Sequence, residues 1–254
     1  MRKTPGMAEA GMSASPALLP DLLSPVAAPP RPMAAEGHRA RMRQRLLGAG
    51  PDALLDHELI EMLLFLALPR RDTKAMAHAL LARFGSFARV LSAPVPALLA
   101  VEGLGEAGVA ALKTVQGAAL RLMRAELLDR PLLGSWEALT GYLRAAMGRE
   151  GVEQVRVLFL DVRNRLIADE ALGRGTVNHT PVYPREVVKR ALELGAAALI
   201  LVHNHPSGDV TPSKADVAMT AELRRAAEAL GLVLHDHLVV GAGVCLSFRS
   251  KGLL

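Results

Sequence analysis

Cysteine and aromatic side chains are scarce in this chain. Cys245 is the one cysteine among 254 residues, which excludes an internal disulfide framework and a cysteine-based structural zinc site. Aromatic residues make up 3% of the sequence, so few side chains are available to stack on the bases of single-stranded nucleic acid. This composition fits a reducing compartment, and we expect a cytoplasmic protein.

Long apolar runs are also missing. The longest ones, "LLFLAL" and "GAAALILV", fall well short of the ~20 residues that a membrane-spanning helix needs. Near the N-terminus, Pro20, Asp21 and Pro25 interrupt the apolar stretches before the core of a signal peptide can form. We therefore expect no membrane association, and a disordered Pro/Ala-rich tail over residues 1–37.

Residues 38–130 have the pattern of an all-helical domain. In "DHELIEMLLFLAL" and "DTKAMAHALLARFG" apolar residues recur every three or four positions, and Asp56 and Asp72 stand where helices can begin. Further on, Gly103 and Gly105 surround one apolar residue between two helical patterns. This arrangement is the sequence form of a helix-hairpin-helix turn.

Such a turn suggests contact with DNA. Glycine turns and helix N-termini can offer backbone N–H groups to a phosphate, and a net charge of +5 permits the contact. Glu102 and Glu106 oppose it, and Lys113 compensates only in part. The alternative is a tight corner that only packs two helices. The run "HRARMRQR" is more typical of a solvated helix face than of a nucleic-acid site. Its arginines are Arg39, Arg41, Arg43 and Arg45.

Residues 131–254 have the pattern of a mixed α/β sandwich. After a linker at 131–134, a short helix is predicted with Ser135 as its cap. The strand candidates "VRVLFLD", "RLIADEAL" and "GTVNHT" then precede the helix "PREVVKRALELG". The strand "AALILVH", the helix "SKADVAMTAELRRAAEALG" and the strands "LVLHDHLVV" and "VCLSF" complete the domain.

The loop "HNHPSGDVTPSKAD" carries the clearest chemistry. Residues two apart on a strand face the same way, ~6.6–6.8 Å along the backbone, so His203 and His205 can converge on one ion while Asn204 points elsewhere. Gly208 permits a turn that can return Asp216 to the same point. Two histidines and one aspartate give zinc three ligands and leave its fourth position open for water, as in catalytic sites.

Structural roles could explain the same residues one by one. Ser213 and Asp216 could form a capping box with Asp in place of Glu, and Asp209 could bond to its own turn. A later strand carries His235 and His237, which are predicted to share one face. It could supply outer-shell hydrogen bonds to the ligands, but a plain structural role is favoured, and a second metal site is not predicted there. No His-Glu-x-x-His or Cys-x-x-Cys pattern indicates another metalloenzyme class.

The loop is similar to the signature of JAMM (MPN-plus) metallopeptidase-type domains: His-x-His, a seven-residue gap that begins with Pro, and Ser-x-x-Asp. Together with "VLFLD", "GT", "YPREVVKRAL" and "DHLVVG", it makes the chain from about Gly37 onwards resemble the bacterial RadC family. The resemblance implies a C-terminal mixed-sheet MPN/JAMM domain, cytidine-deaminase-like, after an all-α helix-hairpin-helix-like domain. Asn204 departs from the eukaryotic-type pattern, in which Ser or Thr is usual.

The resemblance also implies roles for individual residues. His203, His205 and Asp216 would hold Zn²⁺, Glu153 would be the acid/base, and the Ser213 hydroxyl would hold the substrate carbonyl or its oxyanion. Spacing alone does not select Glu153 from the other nearby acids, and Glu186, in "PRE", is the second choice for the acid/base. The remaining candidates are Glu150, Asp169 and Glu170.

Two functions from different classes follow. The first is a zinc metalloprotease-type hydrolase that cleaves a peptide or isopeptide amide bond of an unidentified protein or peptide, with a zinc-bound water as nucleophile. The alternative is a DNA-associated repair or recombination protein that uses the hairpin, with the zinc domain in a binding or nuclease role. An inactive scaffold is disfavoured, because every expected ligand type is present.

Overall fold

A computed structural model of the chain describes residues 33–128, 131–174 and 182–254. Within these ranges the N-terminal part is helical and the C-terminal part is a five-stranded mixed sheet with helices, as the sequence predicts. The first helix begins at Met33, inside the predicted tail, because "MAAE" consists of good helix formers. The strand candidate "GTVNHT" and residues 1–32 of the tail lie outside the described residues.

Nine α-helices occur in the described ranges. Three further segments, Pro51–Ala53, Leu132–Gly134 and Arg249–Lys251, form short 3₁₀ turns. No helix in the described part of the chain is long and apolar enough to cross a bilayer. The helices are α1 (Met33–Ala49), α2 (Asp56–Ala67), α3 (Lys74–Phe84), α4 (Phe87–Ser92), α5 (Val95–Leu99), α6 (Gly105–Leu128), α7 (Trp136–Met147), α8 (Pro184–Glu193) and α9 (Lys214–Glu228).

The predicted hairpin turn connects α5 to α6. Both of its glycines have left-handed backbone, with φ of 78° at Gly103 and 59° at Gly105, which explains why glycine is needed there. Lys113, expected to offset the neighbouring acids in part, instead donates to the Leu91 carbonyl at 2.9 Å and is half-buried. The cation at the turn is Arg71, whose Nη1 donates to the Gly103 carbonyl at 2.6 Å.

The sheet has the strand order β2-β1-β3-β4-β5. All neighbouring pairs are antiparallel except β3 and β4, which are parallel. Apolar residues of β1, β3 and β4 pack on one face against α7 and the end of α6, and on the other face against α8 and α9. The strands are β1 (Gln154–Leu160), β2 (Leu166–Arg174), β3 (Ala198–Asn204), β4 (Val233–Val240) and β5 (Cys245–Ser247).

A bulge interrupts β4. Leu234 pairs with Leu199, but the next pair is Asp236 with Ile200, so His235 is the extra residue. The expected common face of His235 and His237 is therefore wrong, because an inserted residue breaks the two-residue alternation of a strand. His235 bonds to Asn164 Oδ1 at 2.6 Å, whereas His237 lies fully buried on the face that carries α9.

Candidate metal centre

His203 lies near the C-terminal end of β3, His205 follows the last residue of that strand, and Asp216 lies in the first turn of α9. The His203 Nε2 is 2.9 Å from His205 Nε2 and 3.3 Å from Asp216 Oδ1, and His205 Nε2 is 3.7 Å from Asp216 Oδ2. The structure thus brings together the three residues that the sequence singles out, as a group that could hold a metal ion.

The donor atoms fit a tetrahedral zinc ion. With zinc–ligand bonds of about 2.05 Å, neighbouring ligand atoms of a tetrahedron stand about 3.3 Å apart. The separation of His203 Nε2 from His205 Nε2, 2.9 Å, and that from Asp216 Oδ1, 3.3 Å, lie near this value, while the 3.7 Å separation joins His205 Nε2 to the second oxygen, Asp216 Oδ2. Two imidazoles and one carboxylate are also ligands that zinc accepts, and three protein ligands leave one position open.

The ring nitrogens of both histidines are oriented for metal binding. The Nδ1–H of His205 donates to the Asp209 carbonyl at 2.6 Å, and a carbonyl can only accept. On the other ring, His203 Nδ1 lies 2.7 Å from His237 Nε2. Burial lowers the pKa of His203 to about 4, so the ring is neutral at pH 7. Each ring therefore directs Nε2 towards Asp216 and towards the other ring.

Asp216 is held by its own helix as well. Its Oδ2 accepts from the Ser213 backbone N–H and from the Ser213 hydroxyl, both at 2.7 Å, and its own N–H donates to the Ser213 oxygen at 3.1 Å. This is the capping box that was the structural alternative for these residues. The box and the metal group are compatible, because Asp216 Oδ1 faces His203.

Asn204 points away from the metal group, as expected, and its side-chain amide forms hydrogen bonds to the backbone on both sides of Glu153. Asn204 Oδ1 accepts from the Gln154 backbone N–H at 2.9 Å, and Nδ2 donates to the carbonyls of Val152 at 3.2 Å and Glu150 at 3.4 Å. These bonds bracket Glu153, so one buried side chain ties the segment that carries Glu153 to the end of β3, between the two histidines.

Three of the other acid candidates, Asp169, Glu170 and Glu186, have partners elsewhere in the structure. Asp169 is buried beside Arg156, 2.7 Å away, and accepts from the Tyr142 hydroxyl at 2.5 Å. Glu170 makes a two-pronged ion pair with Arg190, which lowers its pKa. Glu186 is exposed in the first turn of α8 and pairs with Arg185, at 3.1 Å.

Sequence reasoning missed the specific partners of the ligands. His237 was assigned no more than an outer-shell or structural role, yet it contacts His203 directly, and Thr220 Oγ1 lies 2.5 Å from His237 Nδ1. A histidine inside an apolar strand is a signal for such a role, since a buried imidazole requires hydrogen-bond partners. Asp209 bonds to its own turn through Thr211, as expected, and also orients His205.

Known proteins resemble this chain over nearly all of the described residues. A family model described as "RadC-like JAB domain" matches residues 133–253, and one described as "UPF0758 N-terminal" matches residues 36–110. A UPF0758 protein of Rhodobacter capsulatus is 62% identical over 213 residues, 84% of this chain and 100% of the relative. A UPF0758 protein of Ruegeria pomeroyi is 55% identical over 217 residues, 85% of this chain and 97% of the relative. The chain therefore belongs to the RadC family.

Proposed function

We propose that the chain is a zinc-dependent hydrolase that cleaves a peptide or isopeptide amide bond in a protein or peptide. The observation that carries the proposal is the convergence of His203 Nε2, His205 Nε2 and the Asp216 carboxylate, which could hold one metal ion. The side chains of His205 and Asp216 are 18% and 12% exposed, so the group is open towards solvent on one side. Open three-ligand sites are typical of catalytic zinc rather than structural zinc.

The residues of the chain divide the chemistry among them. His203, His205 and Asp216 would hold Zn²⁺, which supplies Lewis acidity to a water molecule and to the substrate carbonyl. The Glu153 carboxylate accepts a proton from the attacking water and returns it to the departing amine nitrogen. The Ser213 hydroxyl can donate to the developing oxyanion once it turns away from Asp216, since the Ser213 backbone N–H still holds that carboxylate.

The strand register supports Glu153 as the acid/base. Val155 of β1 pairs with His203 of β3, and paired residues of antiparallel strands share a face. Glu153 immediately precedes β1, two residues before Val155, and continuing the alternation of the strand would put it on the face of His203.

Asn204 provides a first test of this assignment. Replacing Asn204 with Ala is expected to leave zinc content unchanged and to lower kcat about 10- to 100-fold, because Glu153 loses the bonds that fix its segment. The measurements are kcat and zinc content per chain, both taken at a temperature at which the variant is still folded. Gln154→Ala is the control, since its backbone N–H keeps the bond to Asn204. A wild-type kcat in the Asn204 variant would contradict the positioning role.

Metal removal tests the proposed function itself. The purified chain, its chelator-treated form and the same form reloaded with Zn²⁺ are incubated with a library of peptides and lysine-branched isopeptides. We expect new amide-cleavage products from the loaded forms only, identified by mass spectrometry. Cleavage that is equal with and without metal, or no cleavage by a fully loaded chain across the library, would count against a zinc-dependent amide hydrolase.

The DNA-associated alternative draws on less of the described structure. Two cations of the arginine run are used internally: Arg39 donates to the carbonyls of Pro69 and Arg71, and Arg45 pairs with Glu58. Arg71 remains beside the glycine turn, with its guanidinium on the Gly103 carbonyl. Salt-dependent DNA binding without any amide cleavage would favour this alternative over the hydrolase.

A further inference from the structure

We propose that Thr220 and His237 are positioning residues that select the metal-binding tautomer of His203. They form a buried chain of hydrogen bonds that runs from the backbone of α9, through β4, to a ligand on β3. The proposal rests on metal binding at His203, His205 and Asp216, and it is independent of the reaction that the bound metal serves.

The direction of this chain begins at the Asp216 carbonyl. Thr220 Oγ1 lies 2.6 Å from that carbonyl oxygen, which can only accept, so the Thr220 hydroxyl donates its one hydrogen there. The same hydroxyl oxygen lies 2.5 Å from His237 Nδ1. With its hydrogen committed, Thr220 can only accept from the ring, so His237 carries its proton on Nδ1.

The second half follows from the surroundings of the His237 ring. The ring is fully buried, and its two nitrogens meet a hydroxyl and another imidazole rather than a carboxylate, so it carries a single proton, on Nδ1. Its Nε2 is then an acceptor, and the hydrogen in the 2.7 Å contact must come from His203 Nδ1. The His203 Nε2 is left with a lone pair, which is the form that a metal requires.

The opposite tautomer of His203, with its proton on Nε2, would prevent metal binding. If His203 carried its proton on Nε2, that hydrogen would point at His205 Nε2, 2.9 Å away, and would occupy the place of the metal. This arrangement is a good hydrogen bond in the absence of metal, so something must disfavour it. Thr220 does so, because the reversed chain would need the hydroxyl hydrogen that the Asp216 carbonyl takes.

The surroundings also hold the His237 ring in place. Phe248, which is fully buried, lies with its ring centroid 4.4 Å from that of His237. Thr220 is 1% exposed and His237 is fully buried, so water does not compete for their hydrogen bonds. Partners of this kind set the orientation and the tautomer of ligating histidines, and their loss typically lowers metal affinity about 10- to 100-fold.

A valine–serine pair at position 220 tests the proposal. Thr220→Val keeps the shape of the side chain but removes its hydroxyl, so the His237 Nδ1–H loses its acceptor. The hydrogen bond between His237 and His203 can then reverse its direction. We expect zinc affinity, measured by competition with a chromophoric chelator, to fall about 10- to 100-fold. Thr220→Ser keeps the hydroxyl and is expected to restore wild-type affinity.

Two further measurements separate selection of the tautomer from simple destabilisation. Long-range ¹H–¹⁵N NMR of the metal-free chain reads the tautomers, and Thr220→Val should move the His203 proton from Nδ1 to Nε2. Thr140→Val is the matched control, since Thr140 is 9% exposed and its hydroxyl donates to the Glu137 carbonyl within α7. It is expected to change neither zinc affinity nor the His203 tautomer.

The outcomes distinguish this proposal from the proposed function. Wild-type zinc affinity and an unchanged His203 tautomer in Thr220→Val would overturn the positioning role and leave the metal site intact. Weaker binding with an unchanged tautomer would also overturn it, because Thr220 would then act only through packing. A wild-type chain that binds no zinc would overturn both proposals at once.

Discussion

Replacing His205 with Ala is expected to remove stable zinc from the chain. His205 is one of the three residues that could hold the ion. Loss of a direct ligand is expected to lower metal affinity by more than the about 10- to 100-fold that is typical of losing an outer-shell partner. His205 is also the cleanest of the three to change, since its side chain is 18% exposed whereas that of His203 is fully buried. Zinc per chain, measured by elemental analysis after dialysis against a weak chelator, should fall from one towards zero.

His235→Ala is the matched control for that experiment. It removes an imidazole from a neighbouring strand, but His235 bonds to Asn164 and is turned away from the metal group by the bulge in β4. The control is expected to keep its zinc. Equal zinc content in the two variants would show that His205 is not a ligand, whatever its distance from Asp216.

Glu153→Gln is expected to leave zinc bound and to lower the rate of amide cleavage about 10²- to 10⁴-fold, the usual contribution of positioned proton transfer. Glutamine keeps the size of the side chain but cannot accept a proton from water. The zinc ligands are unchanged, so metal content should match that of the wild-type chain. The measurement is kcat on a cleaved library peptide, with zinc per chain determined on the same sample.

Glu186→Gln makes the same chemical change at an exposed position in the first turn of α8. It is expected to retain wild-type kcat, because Glu186 pairs with Arg185 and its place suits a first-turn acid stabilised by the helix dipole. If the losses were reversed between the two variants, the acid/base role would pass to Glu186. Full activity in both variants would exclude glutamate catalysis at either position.

The metal group could be predicted from the sequence because its information is local. Two histidines separated by one residue, a loop, and an acid in the first turn of the next helix fix their own approximate geometry. The boundaries of the strands and helices around them followed from apolar periodicity in the same way, since each element buries one face or both.

The features of the site that the sequence did not predict depend on contacts between segments that are distant in sequence. His237 reaches His203 only because β4 lies parallel to β3 and contains a bulge, and neither feature is visible in a single strand pattern. The hydrogen bond from the Gln154 backbone N–H to the Asn204 side chain joins residues that are 50 positions apart in sequence. Likewise, Lys113 was expected at the hairpin because its own sequence neighbourhood does not reveal that the Leu91 carbonyl is within reach.

The hydrogen bonds between Ser213 and Asp216 have a consequence for how the chain acquires its ion. They are contacts within the first turn of α9 that need no metal ion, so they can hold the carboxylate in place by themselves. In zinc fingers, by contrast, the ion supplies the energy for folding, and chelators unfold the domain. We therefore expect a chelator to remove a bound ion from this domain without unfolding it.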